Sequence, residues 1–221
     1  MGQVISFINM KGGVGKTTLA VNIAYGLAQF HGKNVLIVDT DPQFNATQYL
    51  LEGEAYLAHT KDKKKGTLLD IFVPRRPGSV NTITGLAKGT GKAKSLAACS
   101  ITILDGGSGH GRLDLIPSTL RLMEIENSIR GTEHRLARYL QDKAQWYDYV
   151  IIDCPPTIGI FTQAGVLASS KYLVPTQVKV PSVVAFVPVQ LAATLHAAVP
   201  AVPHIEEVVT STGFIPVRPV V

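Results

Sequence analysis

The sequence predicts an α/β fold, a mostly parallel sheet flanked by helices. Three observations predict it. Short apolar runs, at 4–8, 35–38 and 149–152, end in glycine-rich or acidic residues. Stretches with apolar residues at three- and four-residue spacing separate those runs, as amphipathic helices require. One run leads through a glycine-rich loop directly into such a stretch. Right-handed crossovers between parallel strands would then place helices on both faces of the sheet.

The first strand is expected at 3–9. Residues 11–18, Lys-Gly-Gly-Val-Gly-Lys-Thr-Thr, follow it. The general phosphate-loop pattern, G-x-x-x-x-G-K-[ST], would need a glycine where Met10 stands, so this loop is a variant. Gly12, Gly13 and Gly15 let the backbone turn its N–H groups inward as an anion nest. Leu19, Ala20, Ile23, Ala24, Leu27 and Ala28 mark a helix over 16–30. Its N-terminus would aim free N–H groups and partial positive charge at bound phosphates. The candidate nucleotide-binding residues are thus Lys11, Gly12, Gly13, Val14, Gly15, Lys16, Thr17 and Thr18. Lys16 is expected to reach the β- and γ-phosphates, and Thr17 to ligate Mg²⁺.

A buried parallel strand is expected at 34–38, with Asp39 and Asp41 at its C-terminal edge, where α/β proteins place ligands. Two residues apart on an extended chain, both carboxylates would face the same way. A short helix near 45–51 comes next, then a variable region over about 53–112. Strand character returns at 101–104 and 113–116. Helical patterns are expected at 119–127 and 132–144, a strand at 148–153, a helix at 160–169 and a strand at 172–175. The strand at 148–153 ends in Asp153, a candidate Mg²⁺ ligand acting through water or Thr17.

These motifs together resemble the deviant-Walker P-loop ATPases of the ParA/MinD type, and most closely the ParA/Soj partitioning proteins. The leading Lys11, the segment VDTDPQFNAT from Val38 to Thr47, and the run LDLIPSTLRL from Leu113 to Leu122 carry the resemblance. It covers about residues 1–177. It implies ATP and Mg²⁺ as cofactors and catalytic roles for Lys11, Lys16 and Asp41. Lys11 would cross a dimer interface to the other subunit's phosphates. Asp41 would orient the attacking water. Asp39 would support the Mg²⁺ shell beside Thr17 and Asp153. Phe44 departs from the family's usual glycine and is expected to alter the following turn.

The 221 residues are 46% apolar, enough for one filled α/β domain. Residues 1–10 read as a core strand rather than a signal peptide. Cys99 and Cys154 fit a reduced cytoplasmic protein and form no zinc spacing. An iron–sulfur role is disfavoured, because Cys154 sits at a strand end. Trp146, Tyr147 and Tyr149 are expected to pack. The net charge is +5. Residues 61–94 alone carry nine basic and two acidic side chains, so the remainder is −2. The plainer reading is a solvated basic insertion; the other is a nonspecific hold on DNA phosphates.

Beyond residue 177 the resemblance stops. Residues 178–221 hold six of the thirteen prolines and four charged residues. They read as a divergent or truncated tail, native or frame-shifted, without the family's adenine- and DNA-contacting residues. His196 and His204 there read as incidental. The expected function is a slow, partner-stimulated ATPase that dimerises on ATP and supports plasmid or chromosome segregation. Its expected partners are a second copy, a centromere-bound ParB-like protein and nonspecific DNA. The expected location is cytoplasmic, with nucleoid association. The alternatives are a nucleotide-binding module that does not hydrolyse, and a MinD-like membrane switch. The latter needs a basic amphipathic C-terminal helix that residues 190–221 lack.

Overall fold

The computed structural model describes residues 2–73, 93–107, 109–125, 131–180 and 183–186. Strand β1 (Gln3–Phe7) precedes helix α1 (Lys16–His31). Strand β2 (Val35–Asp39) precedes three short helices, α2 (Asn45–Leu50), α3 (Gly53–Lys61) and α4 (Leu68–Phe72). Helix α5 (Leu96–Cys99) leads to β3 (Ile101–Asp105) and β4 (Arg112–Ile116). A 3₁₀ segment (Leu120–Ile125), α6 (His134–Lys143), β5 (Tyr149–Asp153), α7 (Ile160–Ala168) and β6 (Lys171–Leu173) follow. A separate antiparallel hairpin joins β7 (Gln177–Val180) to β8 (Val183–Phe186).

The main sheet runs β3-β4-β2-β5-β1-β6. All its pairings are parallel except β3 with β4. That antiparallel edge leaves the sheet mostly parallel, as the sequence predicts. Only residues 106–111 separate β3 from β4, too few for a parallel crossover, and Gly106 and Gly109 turn the chain with positive φ. Among the described residues of the variable region, α3, α4 and α5 were not expected, whereas β3 answers the strand expected at 101–104. Thr67 starts α4 with a reciprocal capping box closed by Asp70. Of the helix expected at 119–127, residues 120–125 form the 3₁₀ segment, and 126 and 127 lie outside the described residues.

Strand alternation sends side chains to two cores. Leu36, Val38, Val150 and Ile152 pack under α4, α6 and α7 with Phe72, Leu136, Leu140 and Phe161. Val35, Ile37, Ile151 and Phe7 pack under α1 with Ala20, Ala24 and Leu27. At the foot of the sheet, buried Asp114 accepts from Arg112 Nε at 2.7 Å and from the Tyr147 hydroxyl at 2.6 Å, both on Oδ2. Trp146, expected to pack, is half exposed and stacks over Tyr147 instead. Apart from 178–180 and 183–186, the tail expectations lie outside the described residues, with His196 and His204. So do Arg75, Arg76, Lys88 and Lys92 of the basic segment.

Candidate nucleotide site

Strand β5 lies between β1 and β2, with Asp153 in register with both Phe7 and Asp39. The loop after β1 and the carboxylates of β2 and β5 therefore converge on one C-terminal sheet edge, where open α/β sheets bind ligands.

Gly13 (φ 73°) and Gly15 (φ 86°) hold left-handed backbone in the loop, which a side chain would strain. Val14 between them is buried and anchors the loop to the domain. Helix α1 begins at Lys16 with no side-chain cap and no acidic residue in its first turn. Its N-terminal N–H groups are thus not consumed by a cap, as an anion site needs. Lys16 is buried, and its Nζ lies 3.5 Å from the Lys11 carbonyl. Lys11, Gly12 and Gly13 are exposed, while Gly15, Thr17 and Thr18 are half-buried. Asn9 braces the loop: its Oδ1 accepts from Lys11 N at 2.8 Å, and its Nδ2 donates to Pro175 O at 2.7 Å.

Asp153 is fully buried, and neither carboxylate oxygen closes a hydrogen bond. Burial pushes its pKa up to about 7. The Thr17 hydroxyl and the Lys16 ammonium are near enough to favour the charged form, whereas Asp41 opposes it. Two unpartnered buried oxygens beside Thr17 and Lys16 are the arrangement a hydrated Mg²⁺ would satisfy. The donor set is hard oxygen throughout and fits that ion together with triphosphate.

Asp39 is also fully buried, but its oxygens are engaged. Oδ1 accepts from Asp41 N at 3.1 Å. Oδ2 accepts from Thr47 N at 2.8 Å and Thr47 Oγ1 at 2.7 Å, pinning the start of α2. Burial, then the charge of Asp153, pushes Asp39 up to about 8. Strand β2 stops at Asp39, so strand alternation does not set the direction of Asp41 as expected. A turn does. Asp41 Oδ1 accepts from Gln43 N at 2.8 Å, and its carbonyl accepts from Phe44 N at 2.8 Å and from Ser118 Oγ at 2.6 Å.

The site thus gathers Lys11, Gly12, Gly13, Val14, Gly15, Lys16, Thr17, Thr18, Asp41 and Asp153 at one edge, with Asp39 just behind. Sequence reasoning assigned nothing to Asn9, Thr47, Tyr56 or Ser118, which hold the loops in place. Ser118 was visible only as part of the LIPS run after β4. Cys154, next to Asp153, is buried, with its thiol pushed up to about 12 by burial.

The family model described as an AAA domain matches residues 2–187, ten residues past the limit of the motif-by-motif likeness. The chain is 36% identical over 180 residues to the sporulation initiation inhibitor protein Soj of Bacillus subtilis, covering 80% of this chain and 59% of Soj. It is 33% identical over 177 residues to the chromosome partitioning protein ParA of Myxococcus xanthus, covering 80% of this chain and 53% of that protein. The chain therefore spans little more than half the length of these relatives. Among solved structures, cobyrinic acid a,c-diamide synthase from Mycobacterium smegmatis, with bound ATP analog and magnesium, matches with a TM-score of 0.59 at 27% identity. That match covers 80% of this chain and 60% of the synthase. A structure of pNOB8 ParA bound to nonspecific DNA matches with a TM-score of 0.56 at 25% identity, covering 79% of this chain and 54% of that one.

Proposed function

From the premise that the chain belongs to the AAA-domain family, as a ParA/MinD-type P-loop ATPase, we propose that it binds and slowly hydrolyses ATP to drive plasmid or chromosome partition. The observation that carries this reading is the pair of unpartnered Asp153 oxygens beside Lys16 and Thr17, at the uncapped start of α1. The loop N–H groups and Lys16 bind the phosphates. Thr17 and Asp153 hold the metal. Bound Mg²⁺ would supply charge neutralisation for the transferring phosphate. Asp41 orients the attacking water, and Asp39 holds the Asp41 N–H directly on Oδ1 and the start of α2 through Thr47 on Oδ2. Lys11, exposed at the front of the loop, reaches the phosphates of a second copy and acts there as an arginine finger does.

ATP thus joins two copies face to face. The name of the Myxococcus relative supports a partition role, and a centromere-bound ParB-like protein that stimulates turnover is part of the proposal. Nonspecific DNA is the further partner, on the precedent of pNOB8 ParA. Among the described residues, no helix is long and apolar enough to cross a membrane. The cytoplasm and nucleoid remain the proposed location.

ATP turnover of Lys16→Ala and Asp41→Ala tests the site. Both variants are expected to lose nearly all phosphate release, and wild-type rates in both would overturn the assignment. Sedimentation of Asp41→Ala with ATP tests the dimer: a stabilised dimer is expected, and an unchanged monomer counts against it. Binding without turnover by the wild type would reduce the protein to a nucleotide-binding module.

A further inference from the structure

Two polar groups of Ser118 are committed to the segment that carries the carboxylates, and the third to α3. Its hydroxyl donates to the Asp41 carbonyl at 2.6 Å. Its N–H donates to Thr47 Oγ1 at 3.0 Å, and that hydroxyl itself donates to Asp39 Oδ2. Its carbonyl accepts from the Tyr56 hydroxyl at 3.1 Å. Ser118 is fully buried just past the end of β4, the strand beside β2, and so moves with the sheet. The Asp41 peptide is held from both sides, with Asp39 Oδ1 on its N–H and Ser118 Oγ on its carbonyl.

We propose that Ser118 is a positioning residue for hydrolysis, fixing the Asp41 backbone so that its carboxylate keeps the geometry for orienting water. Tyr56 supports it from α3. This rests on the reading of Asp41 as the water-orienting group. A serine hydroxyl can bond to backbone groups of its own segment. Here it reaches across 77 residues to the one backbone whose placement decides the attack. Misplacing a reacting group by a fraction of an ångström lowers the rate while leaving ground-state binding intact. The hydrogen bonds of Ser118 go to Asp41, Thr47 and Tyr56, so phosphate binding is expected not to depend on it.

The test is steady-state ATP turnover with Mg²⁺, alongside calorimetric ADP affinity, for Ser118→Ala, Ser118→Thr, Tyr56→Phe and Asp41→Ala. Ser118→Ala is expected to lower kcat by about tenfold with KM and ADP affinity within about twofold. Ser118→Thr keeps a hydroxyl and is expected to recover most of that loss. Tyr56→Phe keeps its ring and removes only the outer bond, so a kcat drop of about threefold is expected at unchanged ADP affinity. Wild-type kcat in Ser118→Ala overturns the proposal. So does a parallel loss of kcat and affinity in Ser118→Ala that Ser118→Thr does not repair. Should Ser118→Ala fail to fold, Tyr56→Phe decides, and an unchanged kcat there overturns it. An active Asp41→Ala removes the underlying reading as well, whereas an inactive Asp41→Ala beside a fully active Ser118→Ala removes only the role of Ser118.

Discussion

Phe44 stacks face to face on Tyr56, with ring centroids 5.6 Å apart and planes within 6°, while its own backbone sits in the left-handed region at φ 46°. Among the described residues it is the one non-glycine with positive φ. A glycine there would have a physical reason: the turn into α2 requires left-handed backbone, which glycine adopts without strain. This chain offsets the strain with a ring pair that ties the turn to α3.

The two terms are close in size. Left-handed backbone costs a non-glycine residue about 1–2 kcal/mol. An aromatic pair contributes about 0.5–1.5 kcal/mol beyond its burial. Phe44→Gly removes both terms and is expected to stay within about 1 kcal/mol of the wild type. Phe44→Ala removes the ring but keeps the strain, and is expected to be about 1–2 kcal/mol less stable. Urea denaturation measures both. Alanine as stable as glycine at this position would show that the backbone strain is absent.

Asp39 and Asp153 make the ligand-free protein sensitive to pH. Their folded pKa values, about 8 and about 7, lie above the ordinary aspartate value. The fold therefore favours their neutral forms. That stability is complete below about pH 4 and is lost as pH rises through about 7–8. The melting temperature without nucleotide is expected to fall between these limits, and Asp153→Asn is expected to flatten the decline. An identical slope in wild type and Asp153→Asn would contradict the assigned burial cost.

Asp114 at the opposite end of the sheet separates stability from function. Its Oδ2 accepts from both Arg112 and Tyr147. Asp114→Ala strands the buried Tyr147 hydroxyl and is expected to cost about 2–3 kcal/mol. ADP affinity per folded molecule is expected to hold within about twofold, because the site lies at the other strand ends. Calorimetry below the melting transition measures this. A large loss of affinity in folded Asp114→Ala would tie the foot of the sheet to the nucleotide edge.

The lysine turn after α3 carries the DNA proposal. Lys61, Lys63, Lys64 and Lys65 are exposed. Asp62 shapes the turn by accepting from Lys64 N and Lys65 N, and the Lys94 ammonium reaches the carbonyls of Lys63 and Lys65. Removing three contacting charges with Lys61→Ala, Lys63→Ala and Lys64→Ala should weaken nonspecific DNA binding. It should also reduce the slope of log affinity against log salt by about 3. An unchanged slope by fluorescence anisotropy would assign the turn to solvent.

The parts of the fold written in local sequence are legible from the sequence. The glycine loop, α1 and the apolar runs of β1, β2 and β5 each announce themselves within ten to twenty residues, and the structure has them within a residue or two. The pairing partner of β3 was not legible, because its direction follows from the short Gly106–Gly111 connection and not from its own pattern. The helices α3, α4 and α5 were hidden because they are short and packed by tertiary contacts, as with Leu68 and Phe72. The clustering of Asp39, Asp41 and Asp153 followed from strand-end logic. The roles of Thr47, Tyr56 and Ser118 did not, since serines and threonines have no periodic signature and their bonds span up to 77 residues.

The central claim is that the loop from Lys11 to Thr18, with Asp153 behind it, takes a magnesium-bound nucleotide. Isothermal titration of the folded protein with ADP and Mg²⁺ tests it most directly. Saturable heat of one nucleotide per chain is expected, abolished in Lys16→Ala and weakened when Mg²⁺ is withheld. No heat above dilution for folded wild type, with either ADP or ATP, would contradict it.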